Sequence, residues 1–409
     1  MTLSANDTPG SPAAVHHNNY LHPLPLAAAW FDSLPRGGGG FAEAVDGSWR
    51  ETGGTGRTML CQSRLAYVFL HAGILGDSRL AAGGRAAIDA MRLHFWKPEA
   101  RGWLRAIDAE GRPLDDRIES YDQAFGLLSL AWAFRTTGDE SLRANALEAL
   151  GGLEASARAR GLNFEGYPEW RPAATIEAAG GSPATAPADL HVPRRQNPHM
   201  HLLEAFLAWQ AVDRSGPWLE KAGAMVDLAR RRFIQADGSL CEFFDDSLAP
   251  AAGEAGRRRE PGHHFEWVWL LRKWHEASGD ARAVDDAGRL YRFACTSGRD
   301  TDGLAFDAVD PKGHIVEDSK LLWPQTEMLK AHAAWYEWTG DAAAKSAGLA
   351  CLDLIGSKYL HRESALFHNR LDRDLNPLPV PTLPRVLYHL FLALVEAERV
   401  FGPSTAERA

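Results

Sequence analysis

The chain is poor in the features that mark several large classes of protein. Its four cysteines, Cys61, Cys241, Cys295 and Cys351, stand far apart in 409 residues with no CxxC spacing. A disulfide scaffold or a cysteine zinc site is therefore not expected, and reduced core thiols in a cytoplasmic protein are the simplest reading. Basic residues are outnumbered, 44 Lys plus Arg against 53 Asp plus Glu, for a formal charge of −9. Nucleic acid and anionic membranes both need a basic face, so neither is expected as a partner. No run of about 18 apolar residues occurs, which argues against a membrane span. There is no GxxxxGK[ST], no strand-linked GxGxxG and no HExxH. Residues 1–20 lack a charged n-region and an apolar h-region and read as a polar tail, not a secretory signal.

What the chain does have is the balance of a folded protein, 45% apolar and 24% charged, with 14 Trp and 16 His. It also has a repeat. Helix-like stretches end at Gly76, Gly138, Gly216, Gly279, Gly340 and Gly402, at spacings of 62, 78, 63, 61 and 62 residues. The long interval contains an Ala/Gly/Pro insertion near 173–193. Gly after a last helical turn takes a left-handed cap, and the Asp that follows at 77, 139, 280 and 341 can cap the next helix. The helix before each Gly is apolar on most faces, as in AFGLLSLAWAF, and belongs inside. The helix after it is more amphipathic and belongs outside.

These marks predict six inner and six outer helices, with a segment near His22–Leu34 completing the outer set. The expected fold is all-α, a closed (α/α)6 barrel over residues 21–409 as a single domain. Long connections around 102–114, 303–316 and 365–378 read as short β-hairpins on the face opposite the tight Gly turns. Function is expected on that decorated face.

Polar residues recur at the start of every inner helix: Arg57 and Gln62, Tyr121 and Gln123, Asn197, His199, His201 and Glu204, His263, His264 and Glu266, Trp323 and Glu327, and finally His389. Asn197 is a candidate N-cap. His201, His263 and His389 precede their Gly by 15, 16 and 13 residues, so they should share one depth at a common mouth. Six helix N-termini pointing there favour a developing oxyanion, and His suits reversible proton transfer near neutral pH. A single His at a helix start is more often a cap or a satisfied core group; the convergence of three argues otherwise. His199 and His201 point about 200° apart on a helix, and His263 and His264 about 100°, so one of each pair should face the mouth. The HxH at His199–His201 is ill-placed for zinc, and no metal is expected. Trp323 before Pro324 is placed to stack on a sugar. Arg257-Arg258-Arg259 reads as solvated surface or, more sharply, as a contact for an anionic substrate.

These residues resemble the N-acylglucosamine 2-epimerase superfamily. The resemblance runs over 22–402 and is carried by YDQAF from Tyr121, NPHMHLLEA from Asn197, PGHHFEWVWLL from Pro261, WPQTE from Trp323 and LYHLFLAL from Leu387. It implies an (α/α)6 barrel that interconverts sugars at C1 and C2 with no cofactor. It further implies His263 and His389 as the acid/base pair. Arg57, Tyr121, Asn197, His201, Glu204, Glu266, Trp323 and Glu327 would bind or support the substrate. The Tyr-His-Leu start of the last helix is more similar to the mannose isomerase branch. The expected activity is therefore aldose–ketose isomerisation of the D-mannose to D-fructose type, on a monosaccharide or small oligosaccharide. The alternatives are a 2-epimerase of the N-acylglucosamine or cellobiose type, a sulfoquinovose isomerase, or a glycoside hydrolase using Glu266 and Glu327. A homo-oligomer is compatible with all of these.

Overall fold

The computed structural model describes residues 19–37, 39–162, 165–173, 194–361 and 363–402. Thirteen α-helices follow one another: α1 (Pro23–Ser33), α2 (Met59–Leu75), α3 (Ser78–Ala90), α4 (Ser120–Thr137), α5 (Glu140–Ala159), α6 (Asn197–Val212), α7 (Trp218–Leu228), the short α8 (Gly253–Arg257), α9 (Pro261–Ser278), α10 (Ala283–Ser297), α11 (Leu322–Thr339), α12 (Ala342–Leu354) and α13 (Leu387–Phe401). In space α2, α4, α6, α9, α11 and α13 each pack on the next, and α13 returns to α2. This inner ring is enclosed by α3, α5, α7, α10 and α12, each against the inner helix that precedes it, and by α1 against α2 and α13. The architecture is the (α/α)6 barrel.

Local chemistry sets the boundaries. Gly138, Gly279 and Gly340 take the left-handed conformation that ends α4, α9 and α11. Asp77, Asp139 and Asp341 then accept from backbone N–H groups of the next helix, a cap worth about 1 kcal/mol each. Gly216 and Gly402 depart from the expected pattern. Helix α6 stops at Val212, and the Asp213 carboxylate takes Ser215 N–H and the Trp218 indole. Gly216 is needed for room, since a Cβ there would meet the Trp218 ring at 2.2 Å. Gly402 has φ −67° and is an ordinary extended residue.

The inner helices are buried on nearly every face, whereas α10 buries a stripe through Ala287, Leu290 and Ala294. Closure depends on α1. Its Trp30 is fully buried, stacks on Phe367 and donates to the Ala365 carbonyl at 2.8 Å. Its Leu26 is equally buried, and burial of each such side chain contributes roughly 2 kcal/mol.

The long connections carry strand pairs, as their alternation requires. Arg57–Thr58 pairs with Ala106–Ile107, which pairs with Pro113–Asp115. Ala308–Val309 pairs with Ile315–Glu317, and Lys320–Leu321 with Arg370–Leu371. They lie at the N-terminal ends of the inner helices, so one face of the ring is decorated and the other is made of short turns. The tail at 1–18 and the insertion at 174–193 lie outside the described residues. Among those described, no helix is long and apolar enough to cross a membrane.

Candidate active site

Because the inner helices run parallel, their first turns converge. Helix α9 begins at Pro261, where the ring pre-sets the first turn, and delivers His263 inward. Its Nδ1 lies 2.9 Å from Glu242 Oε2 and 3.3 Å from Glu260 Oε2. Glu242 comes from the connection ahead of α8. It also accepts from Gln196 Nε2 at 2.9 Å, and the Trp267 indole donates to Gln196 Oε1 at 2.9 Å. Burial opposes a charge on His263, but Glu242, Glu260 and Glu266 outweigh it and raise the imidazole to about 9. His263 is therefore an imidazolium at neutral pH.

His389, in the first turn of α13, is the opposite case. Its Nδ1 lies 2.7 Å from Glu327 Oε1. Burial, then Arg64, Lys330 and His201, hold it well below the ordinary imidazole range. It is a neutral base. Trp323, half-buried in α11, neighbours both, with ring centres 4.8 Å from His263 and 5.8 Å from His389. Gly262 makes this possible, because a Cβ there would meet the Trp323 ring at 2.5 Å.

Beneath them is a buried carboxylate layer. Glu204 Oε2 lies 3.2 Å from His201 Nδ1, and Tyr388 donates its hydroxyl to Glu204 Oε1. Glu266 Oε1 is 3.8 Å from the same His201 nitrogen, and its Oε2 has no partner. Burial, then the charge of Glu327, push the Glu266 carboxyl well up. Burial lowers His201 to about 4 despite Glu204. Ligand-type atoms of Glu266, Glu327 and His389 lie within 4.8 Å of one another, as do those of His201, Glu204 and Glu266 and of Glu242, Glu260 and His263. At Glu327 the Lys330 ammonium, 2.6 Å from Oε2, already supplies the positive charge that a cation would bring.

Several expectations need correction. Arg57 does not join this group: its guanidinium is held by Glu51 at 2.6 Å and by the carbonyls of Gly37, Thr55 and Gly56. The arginine at the mouth is Arg64, in the second turn of α2. It donates to Tyr121 Oη at 2.8 Å and to the Arg385 carbonyl at 3.3 Å, over the rings of Phe125 and Tyr388. Its Nε is buried without a partner. Arg64 was overlooked because it opens an apolar run and reads as helix interior. Asn197 is not a cap; Gln196 precedes the helix, and Asn197 is its first residue with Oδ1 buried and unpartnered. Of Arg257-Arg258-Arg259, Arg257 is exposed as a solvated surface residue, whereas the other two are engaged within the protein. Arg259 is buried on Ser239 and two carbonyls, and Arg258 pairs with Glu260 and Glu317. Glu266 and Glu327 lie fully buried side by side, with Glu327 engaged by His389 and Lys330, and do not flank an open cleft as a hydrolase pair would.

The paired histidines separate as helical geometry requires. His199 turns outward, taking Tyr167 N–H and facing the Arg195 carbonyl. His264 takes Leu240 N–H and faces the Glu260 carbonyl. Glu242 and Lys330 were not singled out from sequence; Glu242 is 21 positions from the His263 it serves.

A cavity of about 1310 Å³ opens at the other end of the barrel, between the C-terminal halves of the inner helices. Tyr67, His71, Trp132, Trp269 and Glu204 are among its lining residues. One of its histidines, His71, is held neutral by burial, at about 3, against the Tyr67 hydroxyl. The titratable pairs gather at the hairpin face instead.

Twelve long helices in two rings, with one protonated and one neutral histidine at one mouth, define an (α/α)6 barrel carrying a candidate acid–base centre. The model of the family described as N-acylglucosamine 2-epimerase (GlcNAc 2-epimerase) matches residues 39–393, and the chain belongs to this family. It is 33% identical over 380 residues to a mannose-6-phosphate isomerase of Rhizobium meliloti, covering 88% of this chain and 90% of that protein. It is 29% identical to a D-mannose isomerase of Thermobifida fusca, over 75% and 74% of the two chains. In fold it is similar to a crystal structure of D-mannose isomerase, with TM-score 0.81 and 18% identity over 95% of this chain and all of that one.

Proposed function

We propose that the chain, as one catalytic barrel over residues 21–409, is an aldose–ketose isomerase that converts D-mannose to D-fructose by proton transfer. The observation that carries this is the difference in protonation between His263, an imidazolium, and His389, a neutral imidazole, both against the Trp323 ring. Two titratable groups driven apart by their surroundings identify acid and base. The relatives named for mannose and mannose 6-phosphate isomerisation support the same reaction class.

The steps balance without an external oxidant. Imidazolium His263 protonates the ring oxygen O5 and recovers the O1 proton, opening the pyranose. His389 Nε2 takes the C2 proton; the bonding pair forms C1=C2, and O1 becomes the oxyanion of a cis-enediolate. Arg64 and the helix N-termini stabilise that oxygen, a contribution of about 3–4 kcal/mol per well-placed donor. His389 returns its proton to C1 while the O2 proton passes to O1, leaving the ketose. Asn197, Tyr121 and Trp323 position the sugar, and His201 with Glu204 and Glu266 supports the floor. Carbon is neither oxidised nor reduced overall, so no redox cofactor is required.

A free sugar fits this mouth better than a phosphorylated one. Arg117, Arg195 and Arg258 are already matched by Asp115, Glu169 and Glu260 at 2.6, 2.8 and 2.8 Å, and the stretch 174–193 contains no Lys or Arg. A 2-epimerase would use the same two histidines from opposite faces of C2. Incubation of mannose, mannose 6-phosphate, N-acetylmannosamine and cellobiose in deuterated water, followed by NMR, separates the readings. Deuterium at C1 of fructose from mannose is expected. Deuterium at C2 of an epimer, with no ketose formed, would refute isomerisation.

A further inference from the structure

The proton transfers above leave one buried charge unused. Lys330 lies one helical turn beyond Glu327 in α11, with no exposed surface. Its Nζ is 2.6 Å from Glu327 Oε2 and 4.5 Å above the centre of the Trp269 ring. The other oxygen of Glu327 faces His389 Nδ1 at 2.7 Å. Ammonium, carboxylate and imidazole thus form a line from the barrel interior to the mouth. An ammonium removed from water is costly unless paired, and here it is matched by a carboxylate on one side and an indole face on the other.

The surroundings explain why a cation is placed there. Three carboxyl groups converge under His389: Glu327 on α11, Glu266 on α9 and Glu204 on α6. His201 on α6, His263 on α9, Tyr388 on α13 and Arg64 on α2 complete the charged and titratable neighbours. Without a local cation, an ionised Glu327 would either draw a proton onto His389 or take one itself. The first outcome removes the base. The second removes the acceptor that orients the ring, and His389 could then carry its proton on Nε2, the wrong nitrogen.

We infer that Lys330 is a positioning residue for the base: it keeps Glu327 ionised and thereby fixes His389 as the neutral Nδ1–H tautomer, with Nε2 open to substrate. Lys330 raises the cost of a second positive charge on His389 and stays protonated itself, because Glu327, Glu266 and Glu204 oppose the effect of burial on it. Its action runs through Glu327. The inference rests on His389 being the base, but the tautomer belongs to the free protein and can be read without turnover.

The test is nitrogen NMR of histidine-labelled free enzyme at neutral pH, with His389 assigned by its loss in H389N. The wild type should show one pyrrole-type and one pyridine-type nitrogen for His389. In K330M this pattern should become that of an imidazolium or of exchanging tautomers, and kcat/KM should fall at least about tenfold. An unchanged nitrogen pattern in K330M overturns the inference. If K330M does not fold, E327Q and E327Q/K330M decide. Equal His389 signals and kcat/KM within about twofold support action through Glu327; a further tenfold loss in the double variant overturns it. Failure of the wild type to isomerise mannose would refute the proposed reaction and leave the tautomer result standing.

Discussion

Glu242→Gln tests the electrostatic reading most directly. His263 is raised from 6.5 to about 9, a difference worth about 3 kcal/mol between its two protonation states. Glu242 is the foremost of the groups raising it, combining charge with a hydrogen bond at 2.9 Å. Glu260 is farther, at 3.3 Å, and shares its charge with Arg258. A Gln at 242 with its carbonyl in the Oε2 position can still accept from His263 and Gln196, so shape is preserved and the loss is the charge plus the long 3.3 Å bond that Oε1 accepts from Glu260 N–H. A nearby carboxylate typically moves a partner by about 1–3 pH units, so the variant should return His263 to roughly 7. The sign follows: a raised His is protonated below its folded value, so activity requiring imidazolium His263 is lost as pH rises. The alkaline limb of kcat/KM should fall from about pH 9 to about pH 7. At pH 8 this means about a tenfold loss relative to wild type, and at pH 6 less than about twofold. Steady-state rates of fructose formation across pH 5–10, with thermal melts to verify folding, provide the assay. An alkaline limb that stays at pH 9, or an equal loss at every pH, would refute the assignment of His263 as the charged acid.

Arg64→Lys should lower kcat about 10²–10³-fold with little change in KM, because it misplaces an oxyanion donor. Arg57→Lys, by contrast, should act on melting temperature and leave kcat within about threefold; steady-state kinetics with melts compares them. Gly262→Ala should cost at least about tenfold in kcat/KM by displacing Trp323, with a stability loss of about 1–3 kcal/mol measured by denaturant unfolding. Acid should destabilise the fold. His71, His199, His201, His264 and His332 are buried neutral, lowered to about 3 or 4 mainly by desolvation. The unfolded chain therefore binds more protons below about pH 6.5, and each group adds up to about 1.4 kcal/mol per pH unit of lost stability until its folded value is reached. Melting temperature should fall steeply from pH 6.5 to 4.5; a flat profile would contradict the neutral assignment.

The ring was legible because helix ends are local events. A Gly able to go left-handed and an Asp able to cap are read from two adjacent residues, and Gly138-Asp139 or Gly340-Asp341 acts the same way wherever its helix packs. Gly216 shows where local reading fails: its reason is the Trp218 ring, a neighbour that spacing does not reveal. Histidine direction was also legible, since the angle between His263 and His264 is a property of any helix. Arg57 and Arg64 were not separable, because seven residues of chain do not say whether the strand ahead of α2 or its second turn reaches the mouth.

By itself, then, the sequence determined the paired helices, their closure into a ring, the decorated face and the residue types gathered there. All of these follow from short-range propensity and periodic burial. Tertiary structure alone decided the charges. It set Glu242 against His263, Glu327 against His389 and Tyr388 on Glu204, partners 21, 62 and 184 positions apart in the chain. Electrostatic energy depends on distance and on exclusion of water, and the order of residues along a chain specifies neither until the ring has closed.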